Sequence, residues 1–374
     1  MKELYQLRRS LHKYPELSGL EFETRKRIQH FFEAYQPDDV LKIGQTGIAF
    51  VFEGPQIGKT LMFRAELDAL PINEENDLEH VSKVDGVAHV CGHDGHMTIL
   101  AGLCQKIALD RPQSGRVILL FQPAEETGQG ALEMVSSTAF ESIEPDFVFA
   151  LHNVPGFNRN EVLVRNKNFC AASKGLTVTL TGKTAHAAHP ELALSPVNAI
   201  EQILSSIQKI NSNSSVFQQL AFATIIHIQL GEVAFGTTPG YAEIRMTLRS
   251  FDNGDMEKLT SIIESSIRDI ASQEKLVHEI SYSEVFPAVS NSDEAVNYII
   301  EAAKENCLEL VKMDQPFRWS EDFGFFTQRY KGGFFGLGSG LDQPALHHPD
   351  FDFPDEILEA GIAIFYSIYR KILK

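Results

Sequence analysis

Residues 116–128 read Arg116-Val117-Ile118-Leu119-Leu120-Phe121-Gln122-Pro123-Ala124-Glu125-Glu126-Thr127-Gly128. Val117 to Phe121 is an unbroken apolar run of strand length, too short to span a membrane. A strand that is apolar on both faces belongs in a sheet covered on both sides. The second half turns polar and sets two carboxylates side by side. In α/β sheets, reactive groups collect just beyond the carboxyl ends of strands. Adjacent carboxylates at such a place repel each other unless a cation lies between them. With a cation present, one can bind the metal while the other takes a proton from water. A solvated acidic turn would look the same in isolation.

Outward from this stretch, strand-like runs read at residues 47–52, 60–65 and 147–151. Leu4, Leu7 and Leu11 fall at helical spacing, and helices read at residues 21–34, 92–109 and 131–136. The texture changes after about Asn166, where Leu176, Val178 and Leu180 alternate with polar residues. Helices at 196–210 and 256–272 and strands at 224–230, 241–249 and 278–283 complete that region. The first texture returns after about Pro287, with helices at 293–308 and 354–372. The expected fold is α/β, a catalytic domain with a central mixed sheet covered by helices, built from residues 1–168 and 286–374. A smaller α+β lid or dimerisation domain at residues 169–285 interrupts it. The glycine-rich residues 332–340 lack the Lys-Ser/Thr ending of a phosphate loop and read as a tight turn.

The length of 374 residues suits two domains. A net charge of −17 disfavours nucleic acid and anionic membrane surfaces. The N-terminal residues carry no apolar secretory core, and no run reaches membrane-spanning length, so the expected address is the cytoplasm. Four scattered cysteines do not make a disulfide framework. Cys104, Cys170 and Cys307 read as packing residues.

The densest chemistry is Ala88-His89-Val90-Cys91-Gly92-His93-Asp94-Gly95-His96, at a loop-to-helix junction. Thiolate and imidazole are the ligands that zinc-like divalent metals prefer. Cys91 and His93 are close enough for one turn to aim both at one site. Strand ends also carry Arg64-Ala65-Glu66-Leu67-Asp68 and Leu151-His152-Asn153, and Leu346-His347-His348-Pro349 lies near the C-terminus. Alone, His152 would read as a core histidine. Together the clusters supply enough Cys, His and Glu for two metal ions sharing a ligand. Glu321 and Asp322 fit either a supporting role behind the site or a favourable helix N-terminus.

The runs RAELDALP, HVCGHDGH, QPAEETGQGA, LHNVP, GKTAHAAHP, SEDFGFF and LHHPDFDF occur in that order. This pattern resembles the metallopeptidase family of aminoacylases and zinc carboxypeptidases, in its amidohydrolase subfamily, over essentially the whole chain. That group includes N-acyl-amino-acid amidohydrolases, hippurate hydrolases, auxin-conjugate hydrolases and N-acetyldiaminopimelate deacetylase. The resemblance implies metal ligands at Cys91 (bridging), His93, Glu126, His152 and His347. It implies Glu125 as general base, His186 as oxyanion donor, often from a partner subunit, and Arg249 as a substrate contact. The implied cofactors are two divalent ions per subunit, zinc or manganese, with nickel or cobalt as further options. The implied substrate is a small N-acyl amino acid, with a dipeptide or N-acetyldiaminopimelate as alternatives, in a homodimer paired through the inserted domain. Three departures stand out: Glu66 where the family has Asp, Thr184-Ala185-His186 for Gly-Gly-His, and Gly236-Thr237-Thr238-Pro239 for Asn-Val-Ile-Pro. A thiol amidase using Cys91 as nucleophile leaves Glu125 and Glu126 without a task. A catalytically silent binding relative has no chemical use for Glu125.

Overall fold

The computed structural model describes residues 1–374, apart from the side chain of Ser214. The chain forms two compact units. The first comprises Met1–Phe169, Val289–Pro316 and Glu321–Lys374. The second comprises Cys170–Ala288 and Phe317–Ser320.

The first unit is built on an eight-stranded mixed sheet. Its strands lie in the order Asp39–Ile43, Gly47–Glu53, Arg116–Gln122, Thr60–Glu66, Phe147–Pro155, Lys331–Gly340, Val162–Val164, Leu310–Lys312. Thr60–Glu66 pairs in parallel with both Arg116–Gln122 and Phe147–Pro155. These strands therefore deliver their carboxyl ends to one edge of the sheet. Thr60–Glu66 is buried at every position and the other two nearly so, as their apolar sequences require. The helices Lys2–Lys13, Phe22–Glu33, His93–Leu109, Asp293–Glu305 and Leu358–Leu373 supply the facing apolar residues. Phe63 sits at the centre of this core, its ring 5.8 Å from that of Phe149 and 4.8 Å from that of Phe365.

Residues 332–340 do not form the expected turn. Lys331–Gly340 is a buried strand between Phe147–Pro155 and Val162–Val164. Its glycines serve close packing. A Cβ at Gly333 would come within 2.6 Å of the Phe149 ring, and one at Gly336 within 2.8 Å of Leu163 Cδ1. Cys307 also departs from expectation: Cys104 and Cys170 are buried, whereas Cys307 is exposed.

The second unit is a four-stranded antiparallel sheet, ordered Ala221–Leu230, Tyr241–Ser250, Ala172–Thr181, Val277–Phe286. Helices Val197–Ser212 and Asn253–Gln273 share its apolar core with Leu176, Val178, Ile244 and Leu248. The Asp252 carboxylate caps the second of these helices by accepting from Gly254 N and Asp255 N. Among the described residues, no helix is long and apolar enough to cross a membrane.

The first helix is fastened to the first unit by charge. Arg8 Nη1 donates to Asp94 Oδ2 at 3.1 Å and to Asp352 Oδ1 at 2.7 Å. His12 Nδ1 lies 2.9 Å from Asp94 Oδ2, and its Nε2 3.1 Å from Glu74 Oε1. Burial alone would depress the His12 imidazolium, but Asp94, Glu74 and Asp352 outweigh it and raise its pKa from 6.5 to about 10. A raised folded-state pKa stabilises fully below the unfolded value and loses its effect as pH climbs through the folded one. Resistance to urea should therefore fall between pH 6.5 and about 10, and His12→Gln should flatten that slope. Parallel pH profiles for the two proteins would show that His12 carries no charge in the fold.

Candidate active site

The carboxyl ends of the parallel strands gather the chemistry. Asp68 follows Thr60–Glu66, Glu125 and Glu126 follow Arg116–Gln122, and His152 lies near the end of Phe147–Pro155. Cys91 and His93 stand at the start of His93–Leu109, where Gly92 at φ 96° allows the sharp entry into the helix. His347 arrives at φ 67°, its N–H donating to Val90 O at 2.9 Å. Ala124, at φ 49°, immediately precedes the acidic pair. Left-handed backbone at non-glycine residues is held only where the surroundings enforce it.

Cys91 Sγ lies 3.4 Å from His152 Nε2. His93 Nε2 is 3.8 Å from Glu126 Oε1 and 4.0 Å from Glu125 Oε2. His347 Nε2 is 3.7 Å from Glu126 Oε2. The donor atoms of Cys91, His93 and His152 all lie within 4.8 Å of one another, and so do those of Cys91, Glu126 and His347. Cys91 belongs to both groups. Both His347 and His348 are exposed, but His347 Nε2 is the one that faces Glu126, whereas His348 Nδ1 lies 4.0 Å from Asp350 Oδ1. The structure thus brings together Cys91, His93, Glu125, Glu126, His152 and His347.

This donor set suits a cation. His93 Nε2 and Glu126 Oε1 are buried without hydrogen-bond partners, facing each other beyond hydrogen-bonding reach. The opposite nitrogen of His93 is engaged: Nδ1 donates to the Asp68 carbonyl at 2.8 Å. His152 Nδ1 donates to Asn153 O at 2.8 Å, which turns Nε2 towards Cys91. Fixing one imidazole nitrogen to orient the other is how metal-binding histidines are held. Burial, with the neighbouring charges of Glu126 and Glu125, pushes the Cys91 thiol well above its ordinary value. Burial raises the Glu126 carboxyl to about 7 despite His93. Burial, Glu321 and Glu126 push Glu125 well above the usual carboxylate range. A cation among them would relieve each of these penalties.

Several supporting residues lie outside the sequence-based site. Asp68 Oδ2 accepts from Glu126 N at 3.0 Å and from Ser18 Oγ at 2.7 Å, so one residue steadies both Glu126 and His93. Its signal is a second acid two positions past Glu66 at a strand end. Glu66 joins Arg64 to His96, whose Nδ1 lies 2.7 Å from Glu66 Oε2. His96 Nε2 in turn meets Asn153. The longer side chain at position 66 thus spans a guanidinium and an imidazole. Glu321 and Asp322 are fully buried against Arg64 Nη2, at 2.9 and 2.7 Å.

His186 and Arg249 lie in the second unit. His186 is exposed on the short strand Ala185–His186, which pairs with Thr237–Thr238. Its Nδ1 accepts from Ala188 N at 3.0 Å. Gly236 O accepts from Ala187 N at 2.9 Å, so the departure at Gly236 adjoins this hairpin through its backbone. Arg249 Nη1 donates to Ser320 Oγ at 3.0 Å and to the Arg318 carbonyl.

The sequence profile of peptidase family M20/M25/M40 matches residues 62–371. The chain belongs to that family. It is a metal-dependent amidohydrolase. A hippurate hydrolase of Campylobacter jejuni is 31% identical, the match covering 100% of this chain and 97% of the relative. An N-acetyldiaminopimelate deacetylase of Bacillus subtilis is 29% identical over 99% of this chain and 100% of its own. A crystal structure of a dinuclear metal-binding M20 peptidase from Bacillus subtilis superposes with a TM-score of 0.85 at 28% identity, covering 100% of this chain and 98% of that one. These likenesses agree with the mixed α/β sheet and its helices.

For this M20-family chain the state of Cys91 is directly measurable. A buried thiol with a raised pKa is the opposite of an activated nucleophile. Iodoacetamide at neutral pH should modify the exposed Cys307 well before Cys91. Preferential labelling of Cys91 would revive the thiol-amidase reading.

Proposed function

We propose that this protein hydrolyses the amide bond of a small N-acyl amino acid. The observation that carries this reading is the split of the acidic pair: Glu126 faces His93 and His347, while Glu125 stands beside them with one oxygen turned towards His93. Cys91, His93, Glu126, His152 and His347 would hold two divalent ions, with Cys91 shared, in keeping with its membership of both donor groups. Such ions lower the pKa of a water to about 7 and polarise a carbonyl. The mixed thiolate, imidazole and carboxylate set suits zinc or manganese.

In this reading Glu125 takes a proton from the attacking water and passes it to the leaving amine. Its buried carboxyl, beside Glu126 and Glu321, suits a group that must retain that proton between the two transfers. His186 supplies the oxyanion donor and Arg249 the substrate contact. The names of the two relatives support the substrate class, since hippurate and N-acetyldiaminopimelate are both amides of an amino acid. A dipeptide remains the alternative within the same chemistry. A cytoplasmic address agrees with four free thiols. A homodimer through the second unit is supported by its edge strand, Ala221–Leu230, which exposes Ile226, Ile228 and Leu230.

Glu125→Gln should abolish turnover of N-acyl amino acids while its metal content, read by elemental analysis, stays at two ions per chain. Retained turnover would remove Glu125 from the base role, and a chelator-resistant wild type would end the two-metal reading. A dimer mass is expected in sedimentation, and a monomer mass at working concentration would refute the pairing.

A further inference from the structure

Residues 122–131 form the turn that carries Glu125 and Glu126, and a catalytic group on a turn needs outside support to hold its geometry. The turn leaves the sheet at Gln122, passes through the left-handed Ala124 and enters the helix Gly130–Val135. Both of its feet reach one buried side chain. Asp322 accepts from Gln122 Nε2 at 2.9 Å through Oδ1 and at 2.8 Å through Oδ2. Its Oδ2 also accepts from Ala131 N at 2.9 Å. Arg64 anchors the arrangement, with Nη2 donating to Asp322 Oδ1 at 2.7 Å and Nε to Gln122 Oε1 at 2.8 Å. The second contact fixes the Gln122 amide so that its NH2 group faces Asp322. Finally, the backbone N–H of Asp322 points at Glu125 Oε1 from 3.4 Å.

We propose that Asp322 is the positioning residue for Glu125: its carboxylate clamps both ends of the turn, and its backbone N–H orients the carboxylate that moves the proton. Asp322 makes no contact with the donor atoms of Cys91, His93, Glu126, His152 or His347 among the hydrogen bonds and ion pairs of the described residues. Of the two acids on the turn it touches only Glu125, through its backbone N–H. This inference rests on Glu125 being the base.

The test is Asp322→Asn in the metal-loaded enzyme. The variant keeps the backbone N–H and the side-chain shape, and Glu66 and Glu321 still neutralise Arg64. It sets an amide NH2 among donors that need an acceptor, so the turn shifts. Displacement of a reacting group by about 1 Å can cost on the order of 10²-fold. The expected result is a fall in kcat of roughly 10- to 100-fold, with KM changed less than about 3-fold and metal content equal to wild type. Gln122→Met, which frees only one foot of the turn, should give a smaller fall of the same kind, and it carries the test alone if Asp322→Asn does not fold. An unchanged kcat overturns the proposal. So does a fall in kcat that tracks lost metal, because the clamp would then serve the ligands. Wild type and Glu125→Gln in the same assay keep the two ideas apart. If Glu125→Gln is inactive and Asp322→Asn is fully active, only the positioning role fails. If Glu125→Gln is active, the functional reading fails first.

Discussion

A guanidinium buried without water must be surrounded by acceptors, because an unmatched charge in the interior costs several kcal/mol. Arg64 is wholly buried near the carboxyl end of a central strand, and Glu66, Glu321, Asp322 and Gln122 close around it. That requirement shapes the site. Glu66 carries the constraint on to His96, and His96 carries it to Asn153, next to His152. Gln122 and Asp322 carry it in the other direction, to the turn bearing Glu125 and Glu126. A single charge thus relates strand ends that are distant in sequence. Replacing such a cluster by apolar residues would cost little in stability but would erase the reference point from which both sides of the site are set.

A second charged cluster, centred on Asp94, acts in a similar way. Arg8 and His12 bind Asp94, the residue directly after His93, while Asp352 lies a few residues beyond His347. The first helix is therefore coupled to two donor-bearing segments without touching the donors. His93 also receives support from Asp68, which binds Glu126 N with the same carboxylate that Ser18 approaches. Asp68 is thus a buried acid that lies directly behind two donors and fixes their direction.

Much of this is legible in the sequence, and the reasons differ from place to place. The apolar runs around Val117–Phe121 and Phe147–Leu151 announce buried strands because both faces of each are covered. The dense cluster at Cys91 and His93 and the acidic pair at Glu125 announce themselves because so many ligand types in so few positions have little structural use. Choosing His347 over His348 needs the family pattern, since two adjacent imidazoles look alike until the backbone, at φ 67°, turns one towards Glu126. Asp322 and Arg64 are harder, because a buried ion pair joins residues far apart in the chain and leaves no local periodicity. Lys331–Gly340 departs from its sequence reading for a physical reason. Glycine usually marks a bend, but here it marks a place where the side chains of Phe149 and Leu163 leave no room for a Cβ.

That glycine-rich strand also governs the order in which the molecule is completed. It lies between Phe147–Pro155 and Val162–Val164, yet it is made after the whole of residues 170–288. While the chain emerges from the ribosome, the larger sheet lacks an interior strand and leaves two edges open. The stretch from Cys170 to Ala288 has nearly all of its own partners and is free to fold first. The larger unit can close its sheet only once this late strand is available. Pairing between segments so far apart in sequence is slow, and strand edges left open meanwhile are where folding intermediates associate wrongly.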